Sequence, residues 1–391
     1  MMVRTLGARR MLRHAPRGFA GRRRFPVGVS VMRRRAAAFV AVLLAAVPLS
    51  RAQDTKEPPA KAARKDDRQS QLDQMIQDFM KARKEAAAAF RAARTADDEK
   101  AARDKAPKEA DFLPRVHKLI AGGAKDEVAA EAVAFAVFGL DTKDEKVFNA
   151  LRAFAKTDTI RRFVQMATTG APEAAKPVLE QVLAENPSRD LKGMACYALG
   201  AMAFEQEDGK GAKEAERYFD RVEKEFADVH GPQKRTLGEM AKGSLFELRN
   251  LQVGMPAPPA ESKNLKGEKA ALADYKGKVV VLDFWATWCG PCKAMIPHER
   301  EMVKKLKDKP FALVSVSVDD EKKELEEFLG TEKMPWTHWW DGPEAPLIKQ
   351  WNIRYFPTIY VIDARGLIRH KNIRGDELEK AVEKLVAEAK P

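Results

Sequence analysis

VVLDFWATWCGPCK, running from Val280 to Lys293, is the stretch whose reading decides the architecture of this chain. The run that leads into it, Lys278 to Phe284 (KVVVLDF), is β-branched and interrupted by one acid, as expected of a strand covered on both faces. It then meets Cys289-Gly290-Pro291-Cys292, and Pro291 to Leu306 reads as a helix. Pro291 suits a first helical turn, where no N–H need be given up. The thiolate is the nucleophile of disulfide exchange, and a thiol with an ordinary pKa of about 8.5 is mostly protonated at neutral pH. Placing Cys289 just ahead of a helix offers it free N–H groups and the positive end of the helix dipole. Two intervening residues bring the second sulfur, one turn on, within disulfide reach. Cys289 is therefore predicted to attack, and Cys292 to resolve from a less exposed position, the two forming a redox-active disulfide. Half a zinc site has the same spacing. Here there is no second C-x-x-C, and none of the six histidines lies at ligand spacing from the pair. No metal and no cofactor are expected.

Working downstream, Phe311 to Val318 (FALVSVSV) reads as a second strand and Glu321 to Gly330 as a helix. Strands follow at Thr358 to Ile362 and Leu367 to His370, then a last helix from Asp376 to Ala389. Asp363-Ala364-Arg365-Gly366 is a turn sequence that makes the last two strands an antiparallel hairpin. Buried strands alternating with helices predict an α/β region with a central mixed sheet flanked by helices.

These residues resemble the active-site signature of thioredoxins, and more closely the extracytoplasmic TlpA/ResA-like branch, over roughly Val253 to Lys390. Supporting matches are Pro297, Val318-Asp319, Phe356-Pro357-Thr358, and Ile362-Asp363 with Gly366. Asp320 to Ile353 is similar to the helical insertion of that branch. The resemblance implies a thioredoxin fold, with Trp288, Gly290 and Pro291 supporting the cysteine pair and Pro297 bending the helix that follows. It implies that Pro357 is the cis-proline beside the cysteines and that Asp283 is the buried carboxylate handling the proton of the resolving thiol. It implies an enzyme, a thiol–disulfide oxidoreductase that reduces client proteins carrying cysteines or disulfides, fed by a membrane-bound electron donor. Reduction of apocytochrome c is the family's typical task. Two departures stand out. The lysine that thioredoxins place near the buried acid is absent from Phe311 to Val318, and bulky Tyr355 stands two residues before Pro357, where it is expected to narrow the substrate groove. Trp336-Thr337-His338-Trp339-Trp340 reads as rings packing the insertion onto the sheet, against the alternative of a docking surface. His298 reads as a helix-face residue. A thioredoxin-fold peroxidase is the alternative enzyme, but position 286, three before Cys289, is alanine rather than the threonine such enzymes use.

Upstream, Val253 to Pro259 is a Pro/Gly-rich passage, and the division between regions is placed there: 70–250 all-α, 251–391 thioredoxin-like. Over 70–250 apolar residues recur at helical spacing, as in Leu72, Met75, Ile76, Phe79 and Met80, with breaks at Gly122-Gly123, Gly170 to Pro172, Asn186-Pro187 and Gly209 to Gly211. Seven to nine helices are expected, arranged as helical hairpins. Leu191 to Phe204 followed by Gly211 to Phe226 resembles one tetratricopeptide hairpin. Cys196 within it reads as a small buried hydrophobe. Helical arrays commonly bind partners, so this region is expected to bind another protein, and a helical adaptor with an accessory redox domain is the second reading of the chain.

The net charge of +13 is concentrated at the start. Residues 1–52 hold twelve arginines and no acid, which leaves 58 basic against 57 acidic residues downstream and removes the case for nucleic acid. Arg33-Arg34-Arg35, the apolar run Ala36 to Leu49 and Ser50-Arg51-Ala52 read as a signal peptide cleaved after Ala52, with Met32 as the expected true start. The apolar run is short of the roughly 20 residues of a membrane span. The chain is thus expected to be periplasmic or secreted, and membrane-anchored only if uncleaved. Twin arginines occur without a surrounding export pattern. Residues 53–69 read as a disordered linker.

Overall fold

The computed structural model describes residues 60–93, 95–206, 209–232 and 235–389, so the leader read over 1–52 lies outside the described residues. Among the described residues no helix is long and apolar enough to cross a membrane. Ten α-helices among the described residues precede the sheet: α1 Ala60–Ala92, α2 Ala96–Asp104, α3 Glu109–Leu119, α4 Glu127–Gly139, α5 Glu145–Ala153, α6 Arg161–Ala167, α7 Lys176–Glu185, α8 Arg189–Phe204, α9 Ala212–Glu225 and α10 Leu237–Asn250. The expected linker is thereby corrected, because it is helical from Ala60 onward. Apart from Asp66 and Asp67, residues 60–69 are alanine, lysine, arginine and glutamine, all good helix formers. The helix is also anchored: Arg68 pairs with Asp126 and donates to the Leu119 carbonyl at 2.5 Å, and Leu72, Met75 and Phe79 are buried. Helix ends follow local chemistry. Asp126 caps α4 by accepting from Ala129 N at 2.9 Å, and Thr236 and Glu239 form a reciprocal capping box at the start of α10.

The α8–α9 hairpin depends on close approach. A Cβ on Gly200 would lie 2.8 Å from the Phe219 ring, and one on Gly193 would lie 2.9 Å from Phe226 Cβ. Cys196 is fully buried between these helices, where burial pushes its thiol up to about 12 and removes it as a nucleophile.

The second half is a seven-stranded mixed sheet in the order β2-β1-β5-β4-β3-β6-β7. Its strands are β1 Glu261–Asn264, β2 Lys269–Ala271, β3 Val279–Trp285, β4 Phe311–Ser317, β5 Thr337–Trp340, β6 Thr358–Ile362 and β7 Ile368–Lys371. The fully buried β3 runs parallel to β4 and antiparallel to β6, and β6 and β7 form the expected hairpin. Alternation along β3 divides the core in two. Val280, Leu282 and Phe284 share a cluster with Trp339, Trp351, Tyr360 and Leu251. Val279 and Val281 face Met302 of α12 (Ile296–Lys305), its C-cap Leu306, and Leu378, Val382 and Leu385 of α15 (Gly375–Glu388).

Three strands escaped the reading of the sequence. β1 and β2 have only four and three residues and are mostly polar, too short for a period-2 signal. β5 lies inside the Trp336–Trp340 cluster, in what was expected to be a helical insertion; helices α13 (Lys322–Thr331) and α14 (Pro346–Gln350) flank it. Its rings pack the insertion onto the sheet: Trp339 is fully buried, Trp336 Nε1 donates to Ser315 Oγ at 2.8 Å, and Trp340 Nε1 donates to the Asp319 carbonyl at 2.8 Å. The helix expected over 291–306 is two pieces, α11 (Gly290–Lys293) and α12. Pro297 has no N–H to give back to the preceding turn, so the chain re-enters helix with Pro297 in its first turn.

Candidate active site

Cys289 and Cys292 are joined by a disulfide, with 5.3 Å between their Cα atoms. Cys289 is the N-cap of α11, and its Sγ accepts from Cys292 N at 3.2 Å. A backbone N–H aimed at that sulfur favours the thiolate there over the thiol. The expected difference in exposure is absent. Both cysteines are 4% exposed, because both sit in one apolar cluster with Trp285, Ala286, Ile296 and Leu325. The asymmetry between them lies in hydrogen bonding. Ahead of the pair, the turn is held by Asp319, fully buried at the end of β4. Its carboxylate accepts from Thr287 N at 3.0 Å, Thr287 Oγ1 at 2.8 Å and Ser317 Oγ at 2.7 Å. Trp288 is left 63% exposed, edge-on to Phe356 with ring centres 5.8 Å apart.

The Phe356–Pro357 peptide is cis, and Phe356 packs against the cysteine cluster. The loop carrying it is tied at five points. Arg374 Nη2 donates to the Pro357 carbonyl at 2.8 Å, Thr358 Oγ1 to the Tyr355 carbonyl at 2.7 Å, and Asn372 Nδ2 to the Tyr355 hydroxyl at 2.8 Å. The other two ties come from the helical region: Glu247 of α10 accepts from Asn352 Nδ2 at 2.9 Å and from Arg354 Nη2 at 3.3 Å. Tyr355 stays 46% exposed with its hydroxyl held by Asn372.

Asp283 is buried in β3, on the face it shares with Val279 and Val281, and its Oδ1 has no hydrogen-bond partner. Burial pushes its carboxyl up to about 7, opposed by the nearby Arg374 charge. Directly beside it in register is Ser315, whose hydroxyl is occupied by Trp336, so no lysine could stand there without displacing that contact. The compensating cation comes instead from Arg374, at the N-cap of α15. Glu299 of α12 is a second buried carboxyl, 2% exposed, with Oε1 unpartnered, and burial followed by the Asp283 charge raises it well above its ordinary value. His298 pairs at 3.6 Å with Glu379 of α15, as a helix-face residue would.

The structure thus collects Cys289, Cys292, Trp288, Gly290, Pro291 and the Phe356–Pro357 bond at one end of the sheet, with Asp283 on the strand leading to them and Pro297 at the helix break behind. Reading the sequence missed Glu299, Arg374, Glu247 and the clamp made by Asp319. Only Glu299 left a signal, a carboxylate interrupting the apolar stripe Ile296–Glu299–Met302. Among the described residues no three His, Cys, Asp or Glu side chains gather as a metal site.

A dithiol–disulfide pair beside a cis-proline in this sheet defines the class: thioredoxin-fold redox proteins. The AhpC/TSA family matches residues 253–371. A thioredoxin-like protein, YneN, of Bacillus subtilis is 35% identical over 122 residues, covering 30% of this chain and 70% of that protein. The thiol–disulfide oxidoreductase ResA of Geobacillus kaustophilus is 30% identical over 145 residues, covering 37% of this chain and 82% of ResA. A crystal structure of the thioredoxin domain of a Bacteroides vulgatus thiol–disulfide oxidoreductase is covered over 99% of its length by 35% of this chain, at 32% identity and a TM-score of 0.33. The chain belongs to the ResA-like family of thiol–disulfide oxidoreductases.

Proposed function

We propose that this chain is an exported protein-disulfide reductase in which Cys289 attacks a client disulfide and Cys292 resolves the product. The observation that carries this reading is the Cys292 N–H donated to Cys289 Sγ at 3.2 Å, which selects one sulfur of the pair as the stabilised thiolate. Exposed Trp288 and the loop bearing Pro357 border that sulfur's end of the sheet. Proline has no N–H, so the backbone beside it is left for pairing with an extended client segment. Cys289 thiolate displaces one client sulfur, Asp283 takes the proton of Cys292, and Cys292 then displaces the second client sulfur while closing the disulfide. The Gly-Pro dipeptide between the cysteines matches reducing thioredoxins and supports the reductive direction, in which an electron donor, proposed to be membrane-bound, restores the dithiol. Export is supported by the arginine-rich start, the apolar run and the Ser50-Arg51-Ala52 site.

The test is affinity capture with Cys292→Ser in the exporting cell. Client proteins are expected to remain bound through Cys289 and to be released by dithiothreitol, while Cys289→Ser captures none. Equal capture by both variants refutes the assignment. N-terminal sequencing of the mature chain is expected to begin at Gln53, and an intact leader refutes cleavage there.

A further inference from the structure

Glu299 is an expensive residue to bury, and the reduction proposed above does not use it. It lies on the inner face of α12 between Ile296 and Met302, against the side of the sheet from which Asp283 projects. Two carboxyls therefore face one another across a strand and a helix. Each is at least 96% buried, and each has an oxygen, Asp283 Oδ1 and Glu299 Oε1, with no hydrogen-bond partner. Two carboxylates cannot both ionise in such a space, whereas a carboxylic acid beside a carboxylate gives the pair a donor and an acceptor.

Of the other charged and titratable groups around them, Arg374 bears on Asp283, its charge opposing the effect of burial. Arg374, the N-cap of α15, also bonds the Pro357 carbonyl, and Glu379 of α15 takes His298 and Lys305. Glu383 pairs with Lys305, and Arg300 with Glu332. On β5, His338 is in register with Ser315, beside Asp283; burial lowers its pKa, and its Nε2 contacts the Met334 carbonyl at 3.0 Å. On α11 stand the two cysteines.

We propose that Glu299, kept protonated, shares one proton with Asp283 and positions that carboxylate as the base for Cys292. The inference rests on the disulfide-exchange reading and deepens it. In the reduced enzyme Cys289 is a thiolate, Cys292 a thiol, and the carboxyl pair holds one proton. After Cys289 has formed the mixed disulfide and released one client thiolate, Cys292 gives its proton to the pair. Its sulfur bonds to Cys289 Sγ, the bond to the client breaks, and the second client thiolate leaves. Two electrons pass from the dithiol to the client, and the oxidised enzyme is left with both carboxyls protonated until solvent takes the extra proton.

The test uses the full chain with Glu299→Gln and Glu299→Leu. In stopped-flow reaction of reduced enzyme with a cystine-bridged peptide, Glu299→Leu is expected to move the midpoint of the acid limb of the resolving step up by about one pH unit, tenfold in rate at a pH below the midpoint, because Asp283 loses its donor. Glu299→Gln, whose amide still donates, should leave that midpoint in place. A purely structural glutamate predicts no shift with Leu. A second arm needs no substrate: at pH 8 the wild type should show the infrared carbonyl band of a buried protonated carboxyl, and Glu299→Gln, in which Asp283 keeps its midpoint, should have lost most of it. An unshifted Leu profile, or a band that is missing from wild type or fully retained in Glu299→Gln, overturns the proposal. Absence of exchange in the wild type overturns the exchange reading instead, and the infrared arm still decides on the pair.

Discussion

Glu247 and Lys371 lie 124 positions apart in the chain, and their side chains meet at 3.0 Å, with Lys371 Nζ donating to Glu247 Oε1. The same carboxylate binds Asn352 and Arg354, three to five residues before the cis-proline. The last helix of the all-α region therefore holds both an edge strand of the sheet and the loop at the redox end, while its Phe246 and the following Leu251 pack into the sheet's core.

Removing this carboxylate strands two cations at the junction. Burial raises the Glu247 carboxyl, and Arg354 and Lys371 together outweigh it, leaving the group below its ordinary value. Breaking a fully buried pair costs about 3–5 kcal/mol, but the Arg354 side chain is 35% exposed, so Glu247→Ala is expected to lose about 2–3 kcal/mol in urea unfolding. A depressed carboxyl stabilises above its unfolded pKa and ceases to as pH falls through its folded value. The gap between wild type and variant should therefore close in acid, below about pH 4.

Asp283 has the opposite sign. Its carboxyl is raised from 3.8 to about 7, so the native state resists its ionisation, and wild-type stability should fall as pH rises from about 4 through 7. Asp283→Asn is expected to flatten that dependence and to gain up to roughly 4 kcal/mol at pH 8, at about 1.4 kcal/mol per unit. The same variant should resolve mixed disulfides roughly 100-fold more slowly. Thermal melts at pH 5 and 8, beside single-turnover exchange, check both halves. A variant equally stable at the two pH values but unimpaired in exchange would remove Asp283 from the chemistry.

Asp319 holds the turn that presents the cysteines. Asp319→Ala leaves Thr287 N–H and Oγ1 without their acceptor, and hydrogen bonds to a charged group are worth about 1.5–3 kcal/mol. A loss of about 3 kcal/mol is expected, together with faster hydrogen exchange at the Thr287 amide. Unchanged exchange there would show that the turn holds itself.

Gly200→Ala sets propensity against packing. Alanine gains about 1 kcal/mol over glycine in a helix interior. The new Cβ, 2.8 Å from Phe219, must push apart a hairpin whose glycine faces a buried ring, which costs about 1–3 kcal/mol or more. Net destabilisation is expected in denaturant melts. A stabilised variant would mean that the Phe219 ring moves freely.

Much of the fold was legible because its signals are local. KVVVLDF reads as a buried strand from composition alone, and the Asp363–Gly366 turn between two β-branched runs reads as a hairpin. The glycine and proline breaks of the helical region coincide with helix ends. The linker was misjudged because charge and alanine suit a solvated helix as well as a tether, and tertiary anchors such as Arg68 to Asp126 decided between them.

By itself, the sequence determined that a C-x-x-C pair would stand where a strand passes into a helix, inside an α/β sheet behind an all-α region. Those features follow from periodicity, β-branching and proline placement within a few residues. Only the tertiary structure decided what surrounds the cysteines. β1, β2 and β5 exist because neighbouring strands offer them partners, and both cysteines are covered because distant apolar residues converge on them. The Arg374 charge bears on Asp283 in place of the missing lysine, Glu299 is buried on the helix packed over the same side of the sheet, and Glu247 gathers its cations from 107 and 124 residues away. The energy of a buried charge depends on which surfaces meet, and short segments of sequence hold no record of that.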